Sequence, residues 1–236
     1  MKIYNISLIA LIALLFAACE KETDNLSSLT DYVAFHIEGD NPLIVQVGNA
    51  FTDPGCVATL QGKNVTSTMK IESNVDADAM GMYKIEYSAV NADGLTSRAV
   101  RDVIVCNPSV TTDLSGTYTT QAGTHRLTIA SGAIIAYPDF HSTITYLAPG
   151  FFSINDFLGG YYAERVYPQY GYSVMGMTGY FALNEDNTID LISSYIDAWG
   201  DGLDKLENGA YDPATGEISW DAFYAGSMKF HVILKK

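Results

Sequence analysis

The chain has 236 residues, 48% of them hydrophobic and 17% charged, a composition that supports a sizeable core and excludes intrinsic disorder. Asp and Glu number 27 against 13 Lys and Arg, giving a net charge of −14. No basic cluster interrupts this acidity, so phosphate backbones are repelled and nucleic acid is excluded as a partner.

At the N-terminus Lys2 precedes an unbroken apolar run from Leu8 to Ala18. A membrane-spanning helix needs about 20 apolar residues, so this shorter run fits the apolar core of a secretory signal. Ala17 and Ala18 lead directly into Cys19, an order that resembles the bacterial lipobox, with Phe16 where leucine is usual. The resemblance implies cleavage before Cys19 and acylation of its sulfur and new amine. Each buried CH₂ of such an anchor contributes about 0.8 kcal/mol, so several chains hold effectively permanently. Glu20, Lys21, Glu22 and Asp24 form a mainly acidic patch. It resembles the tether with which Bacteroidetes lipoproteins are sent to the outer face of the outer membrane. The polar stretch Asn25 to Thr30 reads as a flexible spacer. The expectation is a signal peptide over 1–18 and a lipidated tether over 19–30, with the rest of the chain anchored in the outer membrane and facing outward.

Sixteen tyrosines and twenty glycines, with no run of period near 3.6 after the signal, predict an all-β protein. Residues 31–107 read as one unit. Its strands are expected at Tyr32–Ile37, Leu43–Val47, Cys56–Leu60, Ser67–Glu72, Gly81–Val90 and Arg98–Cys106. In MYKIEYSAV, residues Tyr83, Ile85, Tyr87 and Ala89 share one face while Lys84 and Glu86 take the other. The NADG segment, Asn91 to Gly94, supplies hairpin turn chemistry before SRAVRDVIV. Short strands at this spacing predict a β-sandwich. The pattern from Pro42 through the FTDPG turn (Phe51 to Gly55), the Gly81-x-Tyr83 strand and the closing Arg101-x-Val103 strand resembles the immunoglobulin-like modules of bacterial surface proteins. The resemblance implies a spacer or an adhesion surface.

Pro108 to Asp113 (PSVTTD) reads as a linker, and 114–236 as a second all-β unit of roughly eight strands, closed or nearly closed into an antiparallel barrel. In the last strand Met228, Phe230, Val232 and Leu234 face one way, with Lys229, His231 and Lys235 mostly on the other. Tyr211 to Gly216 (YDPATG) is a turn introducing EISWDAF. The stretches LSGTYTT, FLGGYYAERVYPQYGY, GYFALNEDNTIDLISS and GAYDPATGEISWDAFYAGSMKFHVILKK resemble the lipocalin-like C-terminal domains of small Bacteroidetes surface lipoproteins. That resemblance implies architecture and address but no reaction.

Motifs for catalysis are absent: there is no G-x-S-x-G elbow, H-E-x-x-H helix, phosphate-cradling loop or dinucleotide fingerprint. His36, His125, His141 and His231 are too far apart in sequence to form a local metal-ligand pair. His231 reads as a surface or barrel-facing residue before it reads as a general base. Asp197 to Asp204 (DAWGDGLD) clusters carboxylates on a glycine-bearing loop, which suits a hard cation, but its spacing departs from the D-x-[DN]-x-[DN]-G loop and a solvated loop is expected. Cys56 and Cys106 admit two readings, a disulfide permitted by export or two small buried residues. No cofactor or metal is expected.

The segment Gly159 to Tyr180 crowds Tyr161, Tyr162, Tyr167, Tyr170, Tyr172 and Tyr180 among five glycines and a proline. Exposed tyrosines offer flat apolar faces with a polar tip and suit stacking on sugar rings, whereas alternate tyrosines could instead line the barrel. The ligand-binding set is therefore Tyr161, Tyr162, Tyr167, Tyr170 and Tyr172, with Trp199 from the neighbouring loop. The sequence leads to a non-catalytic, cell-surface lipoprotein that binds a glycan or glycoconjugate. The alternative is a structural or adhesion lipoprotein that contacts a partner protein.

Overall fold

A computed structural model describes residues 30–236, so the signal segment, Cys19 and the acidic patch lie outside the described residues. The first seven strands are β1 (Ala34–Ile37), β2 (Leu43–Gln46), β3 (Cys56–Leu60), β4 (Lys63–Asn64), β5 (Lys70–Ser73), β6 (Gly81–Val90) and β7 (Thr96–Cys106). They form two sheets in the orders β1-β3-β4 and β2-β7-β6-β5, with β2 parallel to β7 and every other pair antiparallel. The alternation in β6 decides its faces: Ile85, Tyr87 and Ala89 are buried and Lys84 is exposed. The Asn91 side-chain oxygen accepts the Asp93 and Leu95 backbone N–H groups and closes the β6–β7 hairpin, the usual service of Asn in a tight turn. Where a strand was expected from Ser67, a 3-10 turn at Thr66–Thr68 comes first, because Asn64 and Val65 capture the Thr66 amide and the Thr68 hydroxyl.

Both described cysteines are free thiols and buried, and burial raises both of them above the ordinary thiol range. Cys56 packs with Ile85, Tyr87 and Val103 inside the sandwich, while Cys106 packs with Ile104, Ala148 and Phe151 in a different cluster. The two thiols therefore sit in separate clusters and are not bonded to each other here.

Ten further strands form one antiparallel sheet: β8 (Gly116–Thr120), β9 (His125–Thr128), β10 (Ala133–Ala136), β11 (His141–Ala148), β12 (Phe151–Ile154), β13 (Thr178–Leu183), β14 (Ile189–Tyr195), β15 (Lys205–Asp212), β16 (Glu217–Tyr224) and β17 (Met228–Lys235). Its main path runs β10-β9-β17-β8-β11-β12-β13-β14, with β16 and then β15 branching from β17. β17 pairs with β9 through Met228–His231 and with β8 through Leu234 and Lys235, so the sheet splits and curls there. A Thr188↔Ala210 bridge joins the far side to β15. The described residues are thus nearly all β, an immunoglobulin-like sandwich followed by a curled, half-barrel antiparallel sheet.

The interior of the curl is filled rather than hollow. Trp220, Phe152, Phe157, Phe181 and Phe230 are all fully buried there. The Trp220 indole N–H finds its required acceptor in the Phe157 carbonyl at 2.8 Å. The segment expected as a linker is seated too, since Val110 is buried in this core. A further cluster crosses between the halves: Ile104 and Cys106 from β7 pack on Ala148 and Phe151, flanked by Met82 and Tyr180.

Candidate functional site

The loop between β12 and β13 is built around one carboxylate. Asp156 is fully buried, with Oδ1 accepting the Leu158 and Met177 N–H groups at 2.8 and 3.1 Å and Oδ2 accepting that of Gly160 at 2.9 Å. It therefore pins the start and the end of the segment carrying the tyrosines. Burial pushes its pKa up to about 6, only partly offset by these three N–H donors, and the charge of Glu164 adds to the rise. Gly160 turns the chain with φ 80°, and a Cβ there would meet the Phe140 Cβ at 2.8 Å, so glycine is required on both counts. A π-helical turn, Tyr161–Val166, follows, and then a short helix α1 (Tyr172–Met175). No 3.6-residue pattern announces either of them, and π-turns of this kind recur at functional positions.

The structure divides the six aromatic residues singled out by the sequence. Tyr161 is 3% exposed and belongs to the core. It lies edge-on to Tyr137 and Phe230, and its hydroxyl accepts from Arg126 at 3.1 Å. The guanidiniums of Arg126 and Arg165 sit 5.7 and 5.5 Å from its ring centroid, so its faces are taken. Tyr172 has its hydroxyl engaged as well: its one proton is shared between the His141 carbonyl oxygen at 2.6 Å and the Glu164 carboxylate, which also meets His141 Nδ1 at 3.1 Å. Burial, then the Glu164 carboxylate, raises the Tyr172 phenol well above its ordinary range. These contacts remove Tyr161 as an exposed stacking ring and fix the hydroxyl of the half-buried Tyr172 away from the ledge.

Tyr162, Tyr167 and Trp199 come together at the rim. Tyr162 is half-buried and stands edge-on to Trp199 at 4.9 Å, with Tyr167 stacked on it at 6.2 Å. Burial pushes the Tyr162 phenol up to about 12. Tyr167 and Trp199 are 6.4 Å apart, and Trp199 keeps 45% of its surface exposed. Tyr170 stands further out, 54% exposed, on the turn closed by its N–H to the Tyr167 carbonyl.

Sequence reasoning missed Tyr224, which supports this platform from below at 6.3 Å from Trp199. Its position was readable, because Ile218, Trp220, Ala222 and Tyr224 are the inward residues of β16. The Tyr224 hydroxyl donates to Asp201 at 2.9 Å, and burial together with that carboxylate raises its pKa. The Asp197 to Asp204 loop is thereby tied down from within the chain: Asp201 takes Tyr224, Asp204 accepts the Gly226 N–H at 2.8 Å, and the Ala198 N–H reaches the Val174 carbonyl of α1 at 3.0 Å. Among the described residues no group of three His, Cys, Asp or Glu side chains converges as a metal site.

The result is a shallow, half-exposed aromatic ledge with acidic neighbours. Chemically it can offer stacking faces and hydrogen-bond acceptors to a hydroxyl-rich ligand. A second concavity of about 460 Å³ lies where the halves meet, lined by Met82, Leu147, Ser153, Thr178, Tyr180 and Tyr195 among others.

A family model for a "-like" C-terminal domain matches residues 107–236, and the model of the immunoglobulin-like domain of bacterial surface proteins matches residues 35–105. Among solved structures, the lipoprotein BT2262 from Bacteroides thetaiotaomicron is 36% identical, with 87% of this chain and 100% of that chain covered and a TM-score of 0.48. A Clostridium perfringens ZmpB structure of CBM51-2 in complex with GlcNAc and INT domains is 21% identical, covering 52% of this chain and 29% of that one, with a TM-score of 0.28. A second ZmpB structure, of the M60 catalytic domain with CBM51-1 and CBM51-2, is 19% identical over 54% of this chain and 14% of that one, at a TM-score of 0.30. Likeness to ZmpB at this level bears on neither fold nor function. A search of curated proteins finds no match.

Proposed function

The chain belongs to the same family as the Bacteroides thetaiotaomicron lipoprotein BT2262 and carries the immunoglobulin-like domain of bacterial surface proteins, and from that premise we propose that it is a non-catalytic binding protein for a glycan or glycoconjugate, displayed at the cell surface. Cys19 is the proposed lipid attachment point and the outer membrane its anchor, with the two β units facing outward. The observation that carries the binding reading is the exposure of Trp199. Trp199 is 45% exposed while packed against Tyr162, Tyr167 and Tyr224, so it presents an open ring face at a fixed position. Tyr167 and Tyr170 extend the ledge, and Tyr162 supports it.

The filled interior of the curled sheet favours a second reading, in which the ledge contacts a partner protein and no small ligand is held. A glycan-array screen of the purified protein separates the two. A hit whose affinity falls roughly ten- to hundredfold in Trp199→Ala, about 1–3 kcal/mol, supports the glycan reading. No glycan binding at millimolar concentration overturns it in favour of the adhesion reading.

A further inference from the structure

Two histidines that the sequence keeps far apart are brought together by strand register. His125 on β9 and His231 on β17 are directly paired positions of neighbouring antiparallel strands. Phe230 and Val232 turn inward on β17, so His231 lies on the outer face of the sheet.

The hydrogen bonds fix which nitrogen of each neutral ring is free. His125 Nδ1 lies 2.7 Å from the Gly123 carbonyl oxygen, and His231 Nδ1 lies 2.8 Å from Asp221 Oδ1. Neither partner can donate, so both Nδ1 atoms carry the proton and both Nε2 lone pairs remain open. A carbonyl or a carboxylate behind Nδ1 is the arrangement that orients metal-ligating imidazoles and raises their basicity. Asp221 is itself steadied by Asn208 at 2.9 Å and by the Lys229 ammonium at 3.5 Å.

Ring spacing agrees with a shared ion. Two imidazoles bound through Nε2 at about 2.0–2.1 Å, at a tetrahedral angle, have centroids about 5 Å apart. The His125 and His231 centroids are 5.4 Å apart with the rings tilted by 40°.

We propose that His125 and His231 form a two-histidine site for a borderline transition-metal ion, Zn²⁺ or Cu²⁺, on the outer face of the curled sheet. Imidazole nitrogen suits both ions, and Cu²⁺ binds such donors more tightly than Zn²⁺. With two protein ligands, water completes the coordination shell, which makes the site an open one.

The test is calorimetric titration of the intact protein with Zn²⁺ and separately with Cu²⁺. One ion binds per chain, and His125→Ala and His231→Ala each weaken binding by at least about tenfold, while His141→Ala leaves it unchanged. Both altered side chains are on the sheet surface, and far-UV circular dichroism checks that the variants fold. Imidazole NMR on the unaltered protein gives an arm independent of any variant: of the four histidines, the added metal shifts or broadens the rings of His125 and His231. The proposal is overturned if no saturable binding occurs at submillimolar metal, or if the metal shifts other histidines and leaves these two in place.

Discussion

Asp156 Oδ2 accepts the Gly160 backbone N–H at 2.9 Å in the middle of a sealed aromatic core. One buried charge thus holds the turn that delivers every tyrosine of the rim segment.

Holding it there carries a pH signature. Burial raises the folded-state pKa of Asp156 to about 6, above the ordinary aspartate value of 3.8. Between these values the folded chain binds more protons than the unfolded chain, so this group's contribution falls as pH rises through the window and grows as pH drops toward 4. The difference is about 3 kcal/mol at most. Other carboxylates, such as Asp113 and Asp212, are lowered by local hydrogen bonds and act in the opposite sense. Comparison with Asp156→Asn cancels their effect. Urea melts at pH 7 and pH 4 are expected to show the unaltered protein gaining on the variant at low pH. A constant difference between the two would refute the buried-charge account.

A second prediction concerns the sandwich. Arg101 has no exposed surface, and its Nε meets Asp53 Oδ1 at 3.1 Å. The Tyr87 hydroxyl donates to the other Asp53 oxygen at 2.7 Å, and the guanidinium also donates to the carbonyls of Glu38, Asp40 and Gly55. Arg101→Ala strands Asp53 and three carbonyls and is expected to cost about 3–5 kcal/mol in denaturant unfolding. Tyr87→Phe removes one donor and is expected to cost about 1–2 kcal/mol. Equal costs for the two would show that the buried ion pair contributes no more than the single Tyr87 hydroxyl hydrogen bond.

The sequence made some of this fold readable and hid the rest for physical reasons. β3 and β6 fall at their expected bounds, because a strand with one buried face writes its period of two directly into the chain. β15 writes no such pattern, since Lys205, Glu207 and Asn208 are exposed and a bulge at Asn208–Gly209 shifts its register. The rim tyrosines were recognised as a group but not sorted. Whether Tyr161 or Tyr170 ends up inside depends on left-handed glycines and a π-turn, and neither has a sequence period. The His125–His231 pair was invisible for another reason: it exists through register between distant strands.

A third prediction follows from the cluster that crosses the two halves. Phe151 is fully buried, packs with Ile104 and Cys106 of β7, and stacks on Tyr180 at 5.9 Å. A fragment beginning at Thr112 would expose this ring and lose Val110 from its own core. Such a fragment is expected to melt below the whole chain, and Phe151→Ala in the whole chain to cost about 3–5 kcal/mol. Calorimetry of the intact protein is expected to give one transition. Two well-separated transitions, with the fragment matching one of them, would show that the contact is incidental.

The last prediction separates the aromatic residues by what each ring does. Tyr161 is enclosed by Tyr137, Phe230 and two guanidiniums, so Tyr161→Ala opens a cavity and leaves Arg126 short of an acceptor. It is expected to cost about 3–5 kcal/mol of stability. Trp199 and Tyr170 have roughly half their surface in water, so truncating either is expected to cost about 1 kcal/mol or less. In binding the order reverses: loss of the open Trp199 face is expected to remove most of the affinity, because a few anchors carry most of the energy of a site. Tyr170→Phe keeps the ring and is expected to bind nearly as well as the unaltered protein. Thermal melts and ligand titrations on Tyr161→Ala, Trp199→Ala, Tyr170→Ala and Tyr170→Phe test both orders at once. If Trp199→Ala lowered the melting temperature as far as Tyr161→Ala, the ring would be acting as part of the core and the ledge would lose its claim as a binding surface.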